Sequence, residues 1–185
     1  MGKLLLGEDV LLHDGRFVQL IKRPFTTEAG ESGHWEFVRR KVHGRIVAVV
    51  ALTPERQIVL VKIFRVPLNA YIIEPCAGLA DQPGEDEVVL ARRELLEETG
   101  YQCDDLRPIM AGPFNAGLNA DEIVFYFGTN ARLVAKPQLE AAEDIEVVLV
   151  PVNDLIHFLT NPPNGVKVDV KLWSLVHFLG QGGKN

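Results

Sequence analysis

The sequence predicts an α/β fold: a small antiparallel β segment, then a larger domain that mixes strands and helices. Three observations carry this. Short runs of β-branched and aromatic residues recur between turn residues through the first half of the 185 residues. Helical periodicity runs over residues 85–99, 153–159 and 169–179. The texture changes near residue 43, from hairpins to a stretch that is apolar throughout. That change divides the chain into residues 1–43 and 44–185. The length suits one main domain with an appendage, and it can bury a core without disulfide staples.

In order along the chain, Val10-Leu11-Leu12 leads into Asp14-Gly15, and residues 17–21 follow as the second arm of a hairpin. Residues 26–33, rich in Thr, Glu, Gly and Ser, are predicted to be a loop, and residues 35–42 a strand. Residues 46–52 are nearly all apolar and β-branched, as in a strand buried on both faces. Residues 57–64 and 71–74 are further strands, with a Gly/Pro loop from 75 to 84. The helix at 85–99 opens on Glu85, Asp86 and Glu87, which suit the positive end of its dipole, and Gly100 stops it. Strands are expected at 106–111, 123–128 and 145–150. Val168, Leu172, Leu175, Val176 and Leu179 give the last helix its apolar stripe, and the glycine-rich tail from Gly180 is expected to fray.

Composition excludes several functions. The chain carries 19 Lys+Arg against 25 Asp+Glu, a net charge of −6. A general nucleic-acid binder would show a basic excess, and so would a protein that docks on anionic membranes. An acidic protein can still handle phosphates if it first recruits divalent cations. Cys76 and Cys103, the only two cysteines, make no disulfide framework, and no apolar run reaches the length of a membrane span. The expectation is a cytoplasmic protein without nucleic-acid or membrane partners.

The most informative stretch runs from Gly78 to Tyr101. At about 100° per residue, Glu94, Glu97 and Glu98 gather on one arc of the helix, while Val88, Ala91, Leu95 and Thr99 fall on another, flanked by Val89 and Leu96. Like charges at i,i+3 and i,i+4 repel by a few tenths of a kcal/mol per pair. A bare Glu-Glu pair would read as a solvated acidic face. Three carboxylates on one arc instead suit a hard divalent ion, which takes oxygen ligands and shares them with phosphates.

The segment resembles the Nudix box: Gly, a spacer, Glu, seven residues, Arg-Glu, an aliphatic, any residue, Glu-Glu, any residue, Gly. The match runs from Glu85 through Arg93, Glu94, Glu97, Glu98 and Gly100 to Tyr101, with six residues rather than five between Gly78 and Glu85. The resemblance implies an α/β/α sandwich around a mixed sheet and hydrolysis of a nucleoside diphosphate linked to another moiety. It implies Mg²⁺, with Mn²⁺ as the alternative, held by Glu94 and Glu98, with Glu97 as a third ligand or base. Glu85 would support the loop or complete a metal site, Arg93 would position the carboxylates, and the Ala77 carbonyl would join the metal shell beside Gly78.

Other segments are similar to the ADP-ribose pyrophosphatase branch. Glu74-Pro75-Cys76-Ala77-Gly78-Leu79 looks like that branch's Glu-x-Pro-Ala-Gly-Leu, with the proline one place early. Ile63-Phe64-Arg65 with Pro67 looks like its Gln-Phe/Tyr-Arg-Pro stretch, which implies phosphate contacts for Arg65. Trp35-Glu36 with Arg39 and Arg40 is similar to its N-terminal base-binding segment. The acidic segment 139–144 stands where the branch keeps a catalytic Glu: Glu143 first, Glu140 second. The branch also implies a homodimer through the N-terminal β domain.

The expected reaction is cleavage of ADP-ribose or a related nucleoside diphosphate sugar into a nucleoside monophosphate and a sugar phosphate. The alternatives are dinucleoside polyphosphates or nucleoside triphosphates as substrates, an ADP-ribose sensor that does not hydrolyse, and isomerase chemistry using Cys76. The charge count follows the same map. Residues 74–105 hold ten Asp/Glu and two Arg, so the acid excess sits on the proposed metal helix.

Overall fold

The computed structural model describes residues 3–80, 82–141 and 143–180; the tail 181–185 lies outside them. Four N-terminal strands, β1 (Leu4–Leu6), β2 (Val10–Asp14), β3 (Val18–Thr27) and β4 (Ser32–Arg40), form one antiparallel sheet. β3 is its centre: β4 pairs along its whole length, and β1 and β2 pair with it too. The loop expected at 26–33 is shorter than composition implied. β3 continues to Thr27 and β4 begins at Ser32, because cross-strand pairing holds polar residues in strand wherever a partner backbone lies alongside.

The larger domain follows as β5 (Ile46–Leu52), β6 (Gln57–Arg65), a 3₁₀ turn at Val66–Leu68, β7 (Ala70–Glu74), β8 (Cys76–Gly78) and α1 (Glu87–Thr99). Then come β9 (Tyr101–Gln102), β10 (Leu106–Pro113), β11 (Glu122–Gly128), β12 (Arg132–Leu133) and β13 (Ile145–Pro151). A 3₁₀ turn at Val152–Asp154, α2 (Leu155–Thr160), β14 (Val166–Val168) and α3 (Lys171–Gly180) complete it. Eight strands make one mixed sheet, with the path β10-β11-β5-β6-β7-β14, β13 on β6 and β8 on β5. β11 runs parallel to β5 and β14 parallel to β7; the remaining pairs are antiparallel.

Period-2 alternation sends each strand's residues to two cores. Val47, Val49, Val59, Val61 and Ile63 pack with Leu90, Ala91 and Leu95 of α1. Ala48, Val50, Ile58, Leu60 and Ile73 pack with Leu155 and Leu159 of α2 and Leu172, Leu175 and Leu179 of α3. Helices on both faces of a mixed sheet give the three-layer sandwich.

One irregularity positions the site. β5 and β6 pair only near their turn, at Ala51↔Val59 and Leu52↔Ile58. Beyond it they diverge, and the chain from β7 to β8 fills the fork: β7 lies on β6, and β8 lies on β5. Pro75 sits at the step between them, where a missing N–H costs no ladder bond. The segment expected as a Gly/Pro loop from 75 to 84 therefore begins with a buried strand. A three-residue strand has no readable period, so only the fork reveals it.

Candidate active site

α1 begins two residues later than expected. Asp86 is its cap, accepting from the N–H groups of Val88 (2.9 Å) and Val89 (3.4 Å), and Glu85 stays outside the helix. Gly100 closes it in the left-handed region at φ 75°. The buried face includes Leu90, which the sequence reading left out, while Val89 faces solvent. The acidic arc also overlaps that buried face: Glu98 is only 7% exposed.

The carboxylates are held by backbone and by one arginine. Glu98 Oε2 accepts from the Ala77 N–H of β8 at 3.3 Å. Gly78 lies directly under Glu94, and a Cβ there would overlap the Glu94 side chain. The close approach of α1 to β8 therefore requires glycine at this position. Arg93 donates to Glu85 (3.2 and 3.3 Å) and to Glu97 (3.0 Å), and its Nη1 lies 3.2 Å from Glu94 Oε1. Those bonds, the one to Glu85 foremost, hold the guanidinium pKa above its usual value.

Burial pushes the Glu98 carboxyl up to about 7; the charges of Glu94 and Glu143 push the same way, while bonds from the Cys76 thiol and the Ala77 N–H oppose them. Burial also raises the Cys76 thiol well above its usual range, with the Glu98, Glu94 and Glu143 carboxylates adding to the shift. Cys76 is fully buried, so it is a donor to Glu98 rather than an ionised acid–base group at neutral pH. Glu143 thus bears on the same corner as Glu94 and Glu98. Its carboxylate accepts from the Glu140 N–H at 2.8 Å.

This donor set fits a hard divalent cation. It consists of carboxylate and carbonyl oxygens, and Glu98 is buried at a penalty that a cation would remove. Among the described residues, no three His, Cys, Asp or Glu side chains already stand in ligating geometry. Glu85 and Glu97 are engaged by Arg93, so loading the site would require their side chains to turn.

Arg65 is ion-paired with Glu74, a buried acid whose carboxyl is raised by burial against the lowering influence of Arg65. The two line a cavity of about 410 Å³ with Ile72, Lys167 and Asp169. The sequence reading quoted Glu74 within a motif but gave it no role. An acid that follows the apolar pair Ile72-Ile73 is itself a signal, since burial demands a cationic partner.

Trp35, Glu36, Arg39 and Arg40 sit apart, on β4 of the N-terminal sheet. Trp35 is 55% exposed, and its Nε1 donates to the Gly117 carbonyl at 3.0 Å. Glu36 pairs across from Lys22. Arg39 binds Asp9 at 2.7 Å, and Arg40 binds Asp121 at 3.0 Å. Val38 exchanges backbone bonds with Leu118 and Ala120, which ties β4 to the β10–β11 loop. Trp35 and Arg40 thus meet that loop, while Glu36 and Arg39 keep partners within the N-terminal segment.

A family model described as NUDIX domain matches residues 42–172, well over half of the chain. The chain belongs to the Nudix family. Its relatives place it in the ADP-ribose pyrophosphatase branch. It is 35% identical over 147 residues to an ADP-ribose pyrophosphatase of Bacillus subtilis, covering 78% of this chain and 77% of that protein. It is 37% identical over 130 residues to a methanol dehydrogenase activator of Bacillus methanolicus, covering 69% and 68%. A crystal structure of an ADP compounds hydrolase superposes with TM-score 0.80 at 19% identity, over 98% of this chain and 97% of that one. That likeness confirms the fold of this Nudix protein, including its mixed sheet and small antiparallel sheet.

Proposed function

We propose that this Nudix hydrolase cleaves the pyrophosphate bond of ADP-ribose or a related nucleoside diphosphate sugar, with Mg²⁺ or Mn²⁺ as cofactor. One observation carries the reading: Glu98 is buried against the Ala77 backbone with Glu94 packed on Gly78 of the same strand, an arrangement that is costly without a cation. A divalent ion there supplies charge neutralisation and a more acidic water. The chain's own residues do the rest. Glu94 and Glu98 would hold the ion, with Glu97 and Glu85 as further candidate ligands, and Arg93 sets the carboxylate rotamers through its bonds to Glu85 and Glu97. Arg65 turns its guanidinium from Glu74 toward a phosphate. Glu143 accepts the proton of the attacking water.

We also read residues 1–43 as a dimerisation and base-binding domain and residues 44–185 as the hydrolase domain. Exposed Leu5, Leu6 and Leu11 on the small sheet, with Phe17 in its β2–β3 turn, support a homodimer, since a second copy would cover such apolar surface. Trp35 offers a half-exposed aromatic face for a base. Two free, buried cysteines suit the cytoplasm.

The test is turnover with Mg²⁺ on ADP-ribose, GDP-mannose, UDP-glucose and diadenosine polyphosphates, with products identified. Nucleoside monophosphate plus sugar phosphate supports the reading. Tight binding of ADP-ribose without product over hours overturns it in favour of a sensor, and preference for a polyphosphate or triphosphate overturns the substrate class. A Phe17→Asp variant that is monomeric by light scattering, beside a dimeric parent, supports the dimer; a monomeric parent overturns it.

A further inference from the structure

We propose that Tyr71 is a positioning residue for Glu143, acting from the opposite face of the sheet. This rests on the hydrolytic reading above.

The argument begins with alternation at the start of β13. Ile145 and Val147 pack toward α1, whereas Val148 and Val150 pack toward α2 and α3. Successive side chains of extended backbone point to opposite faces. Asp144, just before the strand, falls on the α2/α3 face, where Tyr71 meets it, and the same alternation carried one residue further directs Glu143 toward the α1 face. The influence of the Glu143 charge on both Glu98 and Cys76 agrees with that direction.

The β13–β6 ladder runs from Pro151↔Gln57 to Ile145↔Ile63. Two further bonds carry the register past it. The Phe64 N–H donates to the Asp144 carbonyl at 3.1 Å, and the Tyr71 hydroxyl donates to Asp144 Oδ2 at 2.5 Å. Tyr71 comes from β7, on the other side of β6, so its side chain must cross that strand. Its ring stands edge-on to Phe64, with centroids 5.3 Å apart at 70°, and Lys62 Nζ lies 4.9 Å from its centre. Lys62 in turn binds Glu146 at 2.6 Å. Tyr71 and Lys62 thus grip Asp144 and Glu146, the alternate residues that bracket Ile145.

The loop adds bonds of its own. Its turn is closed by Glu143 N–H to the Glu140 carbonyl (3.0 Å) and by Glu140 N–H to the Glu143 carboxylate (2.8 Å). Those bonds hold the turn compact whichever face it presents. A one-residue slip in the strand would send Glu143 to the far face. The hydroxyl of Tyr71 opposes that slip from the α2/α3 side of the sheet.

The experiment compares Tyr71→Phe, Asp144→Ala and Asp144→Asn with the parent. Tyr71→Phe keeps the ring packing and removes only the hydroxyl. The expected result is a kcat about tenfold lower at unchanged KM and unchanged melting temperature, with faster exchange of the Phe64 amide proton in metal-free protein. Asp144→Asn, which keeps an acceptor, should retain more turnover than Asp144→Ala. In a Glu143→Gln background, Tyr71→Phe should cost nothing further. Wild-type kcat in Tyr71→Phe, or a loss fully additive with Glu143→Gln, overturns the proposal while the hydrolytic reading stands. If Glu143→Gln itself turns over at the parent rate, the assignment of Glu143 fails, and the proposal fails with it.

Discussion

In the eight-stranded sheet, Val47 through Ala51 have no exposed surface, whereas in the four-stranded sheet Leu5 is 76% and Leu6 63% exposed. The polar groups differ in the same way. Glu74 is buried within the first sheet and Glu98 on the helix packed against it, at a cost that shows in their raised carboxyl pKa values. In the second, Asp9 is clamped by Arg23 (2.6 Å) and Arg39 (2.7 Å) in water, and those hydrogen bonds lower its carboxyl to about 2. The large sheet is complete in itself and stores unfavourable charge where chemistry is proposed. The small sheet stores uncovered apolar surface, and its ion pairs are exposed and so contribute little.

The contrast can be broken first at Glu98. Glu98→Gln should lower kcat by about 100-fold or more, since it removes a proposed ligand. The same change should raise the melting temperature of the metal-free protein at pH 8, because it removes a buried charge. Turnover at the parent rate would sink the metal assignment.

The second effect is the pH dependence of metal-free stability. The folded pKa of Glu98, about 7, lies above its ordinary value of 4.5, so the folded state binds more protons between those values. Stability in a chelator should therefore fall as pH rises from about 4.5 to 7, by about 3 kcal/mol. Divalent metal should reverse the fall. Denaturant titrations at pH 5 and pH 8, with and without Mg²⁺, measure it; a flat profile would place Glu98 in a wetter setting.

Gly78→Ala comes third. The added methyl meets Glu94, and α1 must shift from β8, at a cost of about 1–3 kcal/mol and most of the activity. The smallest effect is expected on the other sheet. Asp9→Asn removes two exposed ion pairs and should leave the melting temperature unchanged at physiological salt. A clear drop would show that the small sheet depends on its charges after all.

Much of this contrast was legible before the structure. The apolar run at 46–52 announced a strand buried on both faces, and the spacing of Glu94, Glu97 and Glu98 announced an acidic arc. The burial of Glu98 was not legible, because helical periodicity assigns angles and not what lies opposite. Neither were β8 and β14, whose three residues acquire strand geometry only from β5 and β7.

The sequence by itself determined the types of the longer elements, the family and the residues able to hold a cation, since periodicity, capping and motif spacing are local properties. Tertiary structure alone decided that β5 and β6 fork, that β8 enters the fork, and that Gly78 lies beneath Glu94. It also decided that Arg65 meets Glu74 and that Tyr71 reaches Asp144 across a strand. The physical reason is pairing. Which backbone lies beside which, and therefore which carboxylate loses its water, depends on contacts between residues far apart in the chain.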